Sequence, residues 1–397
     1  MKKIIKAPNR EAFGKEEINS INDCIKYYQD IKGDPPYDGL FQKRFEKEFS
    51  KKMEGGYSLA VSSGSTSCFL ALRALELPKG STILMSPVTD TSTLCSILLC
   101  DLNPVIVDTK NSSYNSSLSQ FKEAYSRDVS AIYLVHTYGV PADIQNIVDF
   151  CKRNKIKLVE DCSQSPFAYL STKQGKKYVG SFGDISAFST MYRKTIHTSS
   201  SGGIVFTKNK NLYKVLVEYS DRGRPKWSNG YNPREPGEVS RIAHNFNTSE
   251  ISCAIGIASL RRVDKAIKIR FELMQYLYSS LSNSNCKYFL KGMEFPEGSS
   301  PFLIPIIIKN NKRDIIFSSL KEYQIPFAET YNCFAFDWKI SRLKIKQNLL
   351  TYIKRRGRKS IYCKNAIQVK KNTFNLFLHE GYTKEYIDYI VESLDCL

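Results

Sequence analysis

The sequence predicts an α/β fold, with a large domain on a mostly parallel sheet flanked by helices and a smaller α/β domain on its C-terminal side. Three observations predict it. From Tyr57 onward, short runs rich in β-branched residues alternate with longer amphipathic ones. At 397 residues the chain is too long for one small core. Its 42% hydrophobic and 24% charged residues are those of an ordinary water-soluble globular protein.

The elements follow in order. Segments 57–61, 82–85, 104–107, 131–135 and 157–160 read as strands, and 65–75, 91–99, 116–126 and 142–154 between them as helices. This β-α-β punctuation marks a parallel sheet covered on both faces, with a ligand crevice at the carboxyl ends of its strands. Beyond Lys176, strands at 185–188 and 203–206 enclose a loop dense in Ser and Gly. Segment 222–237 carries Gly and Pro without periodicity and reads as a long loop of the kind enzymes use. A helical pattern runs from Ser249 towards Leu281, and a last helix covers 384–394. The expected division is 1–255 for the large domain with its N-terminal segment and 256–397 for the small one.

Composition excludes several classes. No apolar stretch approaches the ~20 residues of a membrane-spanning helix, and the basic first ten residues lack the apolar run of a secretory signal. A cytoplasmic protein is expected. The eleven cysteines are odd in number and form no Cys-x-x-Cys pair, so they read as reduced, buried thiols rather than a disulfide framework or zinc site. Four histidines without ligand spacing argue against a metal. Fifty-eight Lys and Arg against 39 Asp and Glu leave +19, a field that attracts phosphate-bearing partners of any kind. The basic run at 354–359 has no DNA-binding motif or aromatic platform beside it, so no nucleic-acid partner is expected.

Three segments carry chemistry. Ser62-Ser63-Gly64-Ser65-Thr66-Ser67 follows a strand and opens a helix, where free N–H groups and the helix dipole make an anion site. Alone, it reads equally as an N-cap. Val159-Glu160-Asp161-Cys162-Ser163-Gln164 puts carboxylates at the end of a buried strand, where Asp161 implies a cation to pair with, or else is a helix N-cap. In the third, running from Gly183 to Lys194 and on to Gly202-Gly203, Lys194 sits on a loop between two strands with Arg193 beside it. Its amine is a candidate nucleophile or a solvated surface charge. An anion cradle, a carboxylate for a ring nitrogen and an amine for an aldehyde are the contacts that pyridoxal 5′-phosphate requires.

In this order the three segments resemble the DegT/DnrJ-type sugar aminotransferase family of fold type I pyridoxal-phosphate enzymes. The similarity extends from Phe13-Gly14-Lys15-Glu16-Glu17, through Pro104-Val105-Ile106-Val107-Asp108 and His136-Thr137-Tyr138-Gly139, to Phe377-Leu378-His379. The resemblance implies that Lys194 binds the cofactor aldehyde and moves the proton between the donor's α-carbon and the cofactor, while Asp161 keeps the ring nitrogen protonated. It implies Gln164 near the ring's phenolic oxygen, Gly64, Ser65 and Ser189 in the phosphate cradle, and Asn247 lent to a neighbouring subunit's phosphate site in a homodimer with shared active sites.

Two departures accompany the matches. Where many relatives stack an aromatic ring on the cofactor, this chain has Asp90, so Thr89 or another loop is the candidate for that face. The loop between Lys194 and Gly202 is longer than usual and lacks the acidic residue common there. The implied function is transfer of an amino group from an amino acid, glutamate above all, to a keto group of a nucleotide-linked sugar in surface-glycan biosynthesis. Relatives with histidine at the position of Lys194 are dehydratases, so lysine favours transamination. The alternatives are a dehydratase or lyase on the same fold and a non-catalytic, cofactor-binding regulatory protein. His136, His197 and His379 read as packing or substrate-contact residues, and the loops at 222–237 and 331–342, with the basic pair Arg222 and Arg224, as determinants of the substrate.

Overall fold

The computed structural model describes residues 4–173, 175–228, 231–232, 239–284, 286, 289–308, 313–328, 334–339 and 363–395. The basic run at 354–359, residues 331–333 and 340–342, and 229–230 and 233–237 of the long loop lie outside the described residues.

Seven strands form the large sheet, in the order β1 (Tyr57–Val61), β9 (Gly203–Thr207), β8 (Ile185–Ser189), β5 (Lys157–Asp161), β4 (Val129–Val135), β2 (Thr82–Met85), β3 (Asn103–Ile106). The neighbours from β8 to β3 pair in parallel, and β9 runs antiparallel to both β8 and β1. The carboxyl ends of β1, β2, β4, β5 and β8 therefore share one edge with the amino end of β9. Every candidate cofactor residue but Asn247 is at or just past that edge.

Strand alternation explains the layers. Val159, Ile185, Ala187 and Val205 face α3 (Gly64–Arg73), α4 (Thr91–Leu99) and α7 (Lys210–Ser220). Leu84, Ile132, Leu134 and Leu158 face α5 (Leu118–Ala124) and α6 (Ile144–Asn154). Towards the β1 end, Ala60, Phe188, Ile204 and Phe206 meet α1 (Lys15–Asp30), α2 (Leu40–Lys52) and the first turns of α8 (Glu250–Ser282). Glu250, the first residue of α8, accepts the N–H groups of Phe41 and Gln42 and so caps α2.

The 33 residues of α8 extend over about 50 Å. Its later turns pack on an antiparallel sheet ordered β10 (Phe289–Gly292), β11 (Leu303–Ile308), β13 (Thr373–Phe377), β12 (Phe327–Ala328). With α9 (Arg313–Glu322), α10 (Lys364–Asn372) and α11 (Lys384–Asp395) this builds the C-terminal α/β unit. Leu273, Leu277, Ile304, Ile306, Phe374, Leu376, Ile387 and Ile390 form its own core, each burial contributing about 1.5–3 kcal/mol.

Two differences from the sequence reading bear on the site. Strand β5 continues one residue further, so Asp161 is its last residue. A two-stranded hairpin, β6 (Tyr169–Thr172) and β7 (Gly175–Tyr178), follows it.

Candidate active site

Consecutive residues of a strand point to opposite faces, and β5 uses that at its end. Glu160 faces away from α3 and α4. It accepts the N–H groups of Gly180, Phe182 and Gly183 and lies 3.1 Å from Nε2 of His136. Nδ1 of His136 accepts the Ala142 N–H, so its proton is on Nε2 and is donated to Glu160. His136, Glu160 and Cys162 place ligand-type atoms within 4.8 Å of one another, but these hydrogen bonds already occupy the imidazole and the carboxylate. The group is a structural network.

Asp161 faces the opposite way, towards α3 and α4, and is 3% exposed. Its Oδ1 accepts the Ser163 N–H at 2.9 Å, and its Oδ2 takes the Thr93 hydroxyl at 3.2 Å and the Cys68 thiol at 3.9 Å. Because Thr93 donates to Asp161, its own oxygen is left to accept from Thr89, 2.6 Å away. Thr89 is fully buried. Among the described residues no cationic side chain pairs with Asp161, and a buried carboxylate so placed is suited to a ligand-borne positive charge. Asp90 lies on the surface and caps α4 through the Ser92 N–H.

The anion cradle forms where α3 starts. Ser63 caps the helix, accepting the Thr66 N–H, and Ser65 is exposed in the first turn. Gly64 is pressed so closely on β8 that a Cβ there would come within 2.6 Å of both Cβ and Oγ of Ser189. Ser67 reinforces the contact by donating to the Phe188 carbonyl. The same edge is held by Ser201, which donates to the Ser62 carbonyl, and by the Ser62 N–H, which donates to Phe246. Asn247 follows at once, its Oδ1 accepting Lys226 Nζ at 3.1 Å. Lys226 also pairs with Asp38 and Asp221, and Asp221 with Arg222 and Arg224. Three cations thus face two carboxylates beside Asn247.

Gln164 accepts the Tyr138 N–H through Oε1, which leaves its NH2 group as the free donor. Tyr138 occupies the left-handed region at φ 60°, an uncommon conformation for a bulky residue. Its carbonyl accepts the Phe302 N–H, and Lys194 Nζ stands 4.1 Å from the centre of the Phe302 ring. Lys194 itself is buried. Arg193 is exposed and lies over Tyr192 rather than beside the amine.

These contacts join the candidate residues into one edge: Gly64 to Ser189, Asp161 through Thr93 to Thr89, and Gln164 through Tyr138 and Phe302 to Lys194. Thr93 and Phe302 carried no sequence signal of their own, because each arrives by tertiary convergence; Tyr138 stood in a segment of the family resemblance but without a role. His197 lies apart, its Nε2 3.0 Å from Arg262, with burial and then Arg10 and Arg262 lowering its pKa to about 4. His379 is likewise lowered to about 4 by burial. Both belong to the packing beneath the lysine loop.

A family model described as the DegT/DnrJ/EryC1/StrS aminotransferase family matches residues 14–395. A GDP-perosamine synthase of Escherichia coli O157:H7 is 30% identical over 250 residues, 62% of this chain and 64% of that protein. The lipopolysaccharide biosynthesis protein RfbH of Salmonella typhimurium is 27% identical over 388 residues, 90% of this chain and 85% of that one. Among solved structures, an E. coli GDP-4-keto-6-deoxy-D-mannose-3-dehydratase with bound hydrated pyridoxal phosphate superposes with a TM-score of 0.82 at 22% identity, over 99% of this chain and 100% of the other. That likeness shows the fold.

Proposed function

Because the chain belongs to the DegT/DnrJ/EryC1/StrS aminotransferase family, which depends on pyridoxal phosphate, we propose that it transfers an amino group from an amino acid, glutamate above all, to a keto group of a nucleotide-linked sugar for a surface glycan. The observation that carries this reading is Asp161: a buried carboxylate with hydrogen-bond donors but no cationic partner among the described residues, on the same strand edge as a helix N-terminus and a buried lysine.

The residues present fit the cofactor. Gly64 keeps the start of α3 against Ser189, where a side chain on residue 64 would part them, and the N–H groups of Gly64 and Ser65 with the Ser189 hydroxyl suit a phosphate. When bound, pyridoxal phosphate supplies an aldehyde and an electron-withdrawing ring through which the amino group passes. Asp161 holds a proton on the ring nitrogen, with Thr93 and Ser163 keeping its oxygens oriented. Gln164 offers its NH2 to the phenolic oxygen. Thr89, next to the position where many relatives have an aromatic residue and this chain has Asp90, would offer only a small side chain to the ring. Lys194 Nζ would hold the cofactor through its aldehyde and, once displaced by the donor's amine, would be free to move the proton from the donor's α-carbon. The excess of positive charge around Asp221 and Lys226 suits the diphosphate of the substrate, and Asn247 serves the phosphate site of a second copy in a homodimer.

Lysine at position 194 favours transamination over dehydration on this fold. The test is product mass. Protein loaded with the cofactor and given glutamate and a keto-sugar nucleotide is expected to yield an aminated sugar without loss of water; loss of water, or no conversion of the cofactor by glutamate, would contradict the reading.

A further inference from the structure

Four segments remote in sequence meet behind Lys194. The guanidinium of Arg10 donates from one terminal nitrogen to the Tyr192 carbonyl at 2.6 Å and from the other to the Lys194 carbonyl at 2.8 Å. Its Nε lies 2.9 Å from Oε1 of Glu380. The second oxygen of Glu380 accepts the Nε–H of Arg270 at 2.7 Å and lies 2.6 Å from one of its terminal nitrogens in ion-pair contact. Arg270, in the middle of α8 and 2% exposed, donates from its remaining terminal nitrogen to the hydroxyl of Thr195 at 3.2 Å.

The charge count is unusual for a mere structural tie. Desolvating a guanidinium is costly unless it is paired, and one carboxylate is shared here by two of them. Burial alone would raise the pKa of Glu380; Arg270 and Arg10 outweigh it and hold it at about 2. Three further terminal nitrogens converge on one stretch, residues 192–195, where they take two carbonyls and a hydroxyl. A planar fork can span two carbonyls two residues apart; the point charge of a lysine cannot do so with fixed geometry.

We propose that Arg10, Glu380 and Arg270 form a positioning clamp that fixes the backbone on either side of Lys194 and so aims its amine. The clamp rests on the reading of Lys194 given above. Arg10 meets Lys194 at its backbone carbonyl, and the three act through the loop. Arg10 comes from the N-terminal segment, Arg270 from α8 and Glu380 from the turn before α11, so the clamp ties the lysine loop to the C-terminal unit. With the backbone fixed, only side-chain torsions remain to be ordered, and a displacement of about 1 Å in such a group can cost ~100-fold in rate.

The test compares the full-length wild type with Arg10→Ala, Arg10→Lys and Glu380→Gln, each stripped of cofactor. Two quantities are followed: hydrogen exchange of the amides at 192–198 in the cofactor-free protein, and the rate at which added pyridoxal phosphate becomes trapped on lysine by borohydride. Arg10→Ala is expected to raise exchange in that segment and slow trapping at least tenfold, with Glu380→Gln acting in the same direction should Arg10→Ala fail to fold. Arg10→Lys is expected to recover thermal stability but not the trapping rate, which separates positioning from a structural tie. Exchange and trapping at wild-type values in both Arg10→Ala and Glu380→Gln would overturn the clamp. If the wild type traps the cofactor on another lysine, the functional reading fails, and exchange alone decides the clamp.

Discussion

The hydroxyl of Thr93 donates to Oδ2 of Asp161 across 3.2 Å, and Thr89 stands 2.6 Å behind it. Thr93 is on α4, one helix over from the anion cradle, so the carboxylate is oriented by an element different from the strand that carries it. Thr93→Val keeps shape and removes the donor. A hydrogen bond to a charged group contributes about 1.5–3 kcal/mol, so cofactor affinity is expected to fall about tenfold or more by equilibrium titration, with Thr93→Ser close to the wild type. Equal affinity in Thr93→Val would remove Thr93 from the site.

Glu160 should behave in the opposite way to its neighbour. It is engaged by His136 and three backbone N–H groups, and Glu160→Gln sets an NH2 group among those donors. Breaking a buried charged network costs about 3–5 kcal/mol. Denaturant unfolding should show such a loss, while cofactor affinity of the folded protein changes little; a variant as stable as the wild type would contradict the assignment.

Gly64→Ala drives a methyl group into Ser189. Stability and cofactor affinity should both fall. Adding Ser189→Gly makes room, so the double variant should regain stability without regaining affinity, because the hydroxyl is gone. Recovery of both would mean that Ser189 does not contact the phosphate.

Acid sensitivity follows from the groups under the lysine loop. His197 and His379 have pKa values lowered from 6.5 to about 4. Between those values the unfolded chain binds protons that the folded chain refuses, so stability is present above pH 6.5 and declines as pH falls towards about 4. The whole window is worth on the order of 3 kcal/mol per fully shifted group. Glu380 extends the decline further, since its stabilisation is present above its unfolded value of 4.5 and is lost as pH falls towards about 2. Denaturant midpoints measured from pH 7 downward should show this slope, and His197→Asn should flatten its upper part; an unchanged slope in that variant would discard the assignment.

Much of this architecture is legible in the amino-acid sequence. Segments 57–61, 82–85 and 91–99 coincide with β1, β2 and α4, because apolar strands bounded by turns and a helix with its own Asp cap carry local signals. Hairpin β6–β7 was not legible, since its residues are half-buried or exposed and lack clear alternation. In the site, Lys194, Asp161 and Gly64 stood out by their position in motifs. Thr93, Phe302 and Arg10 did not, for each gains its meaning from a neighbour 68 to 184 residues away in the chain. Arg193, the cation nearest Lys194 in sequence, faces solvent, while Arg10 holds the loop from behind.

The most direct measurement is borohydride reduction of the cofactor-loaded protein followed by peptide mass mapping. The account predicts a single added pyridoxyl group, on Lys194, and none in Lys194→Ala. Label on a different lysine, or a Lys194→Ala protein that still retains it, would contradict the account at its root.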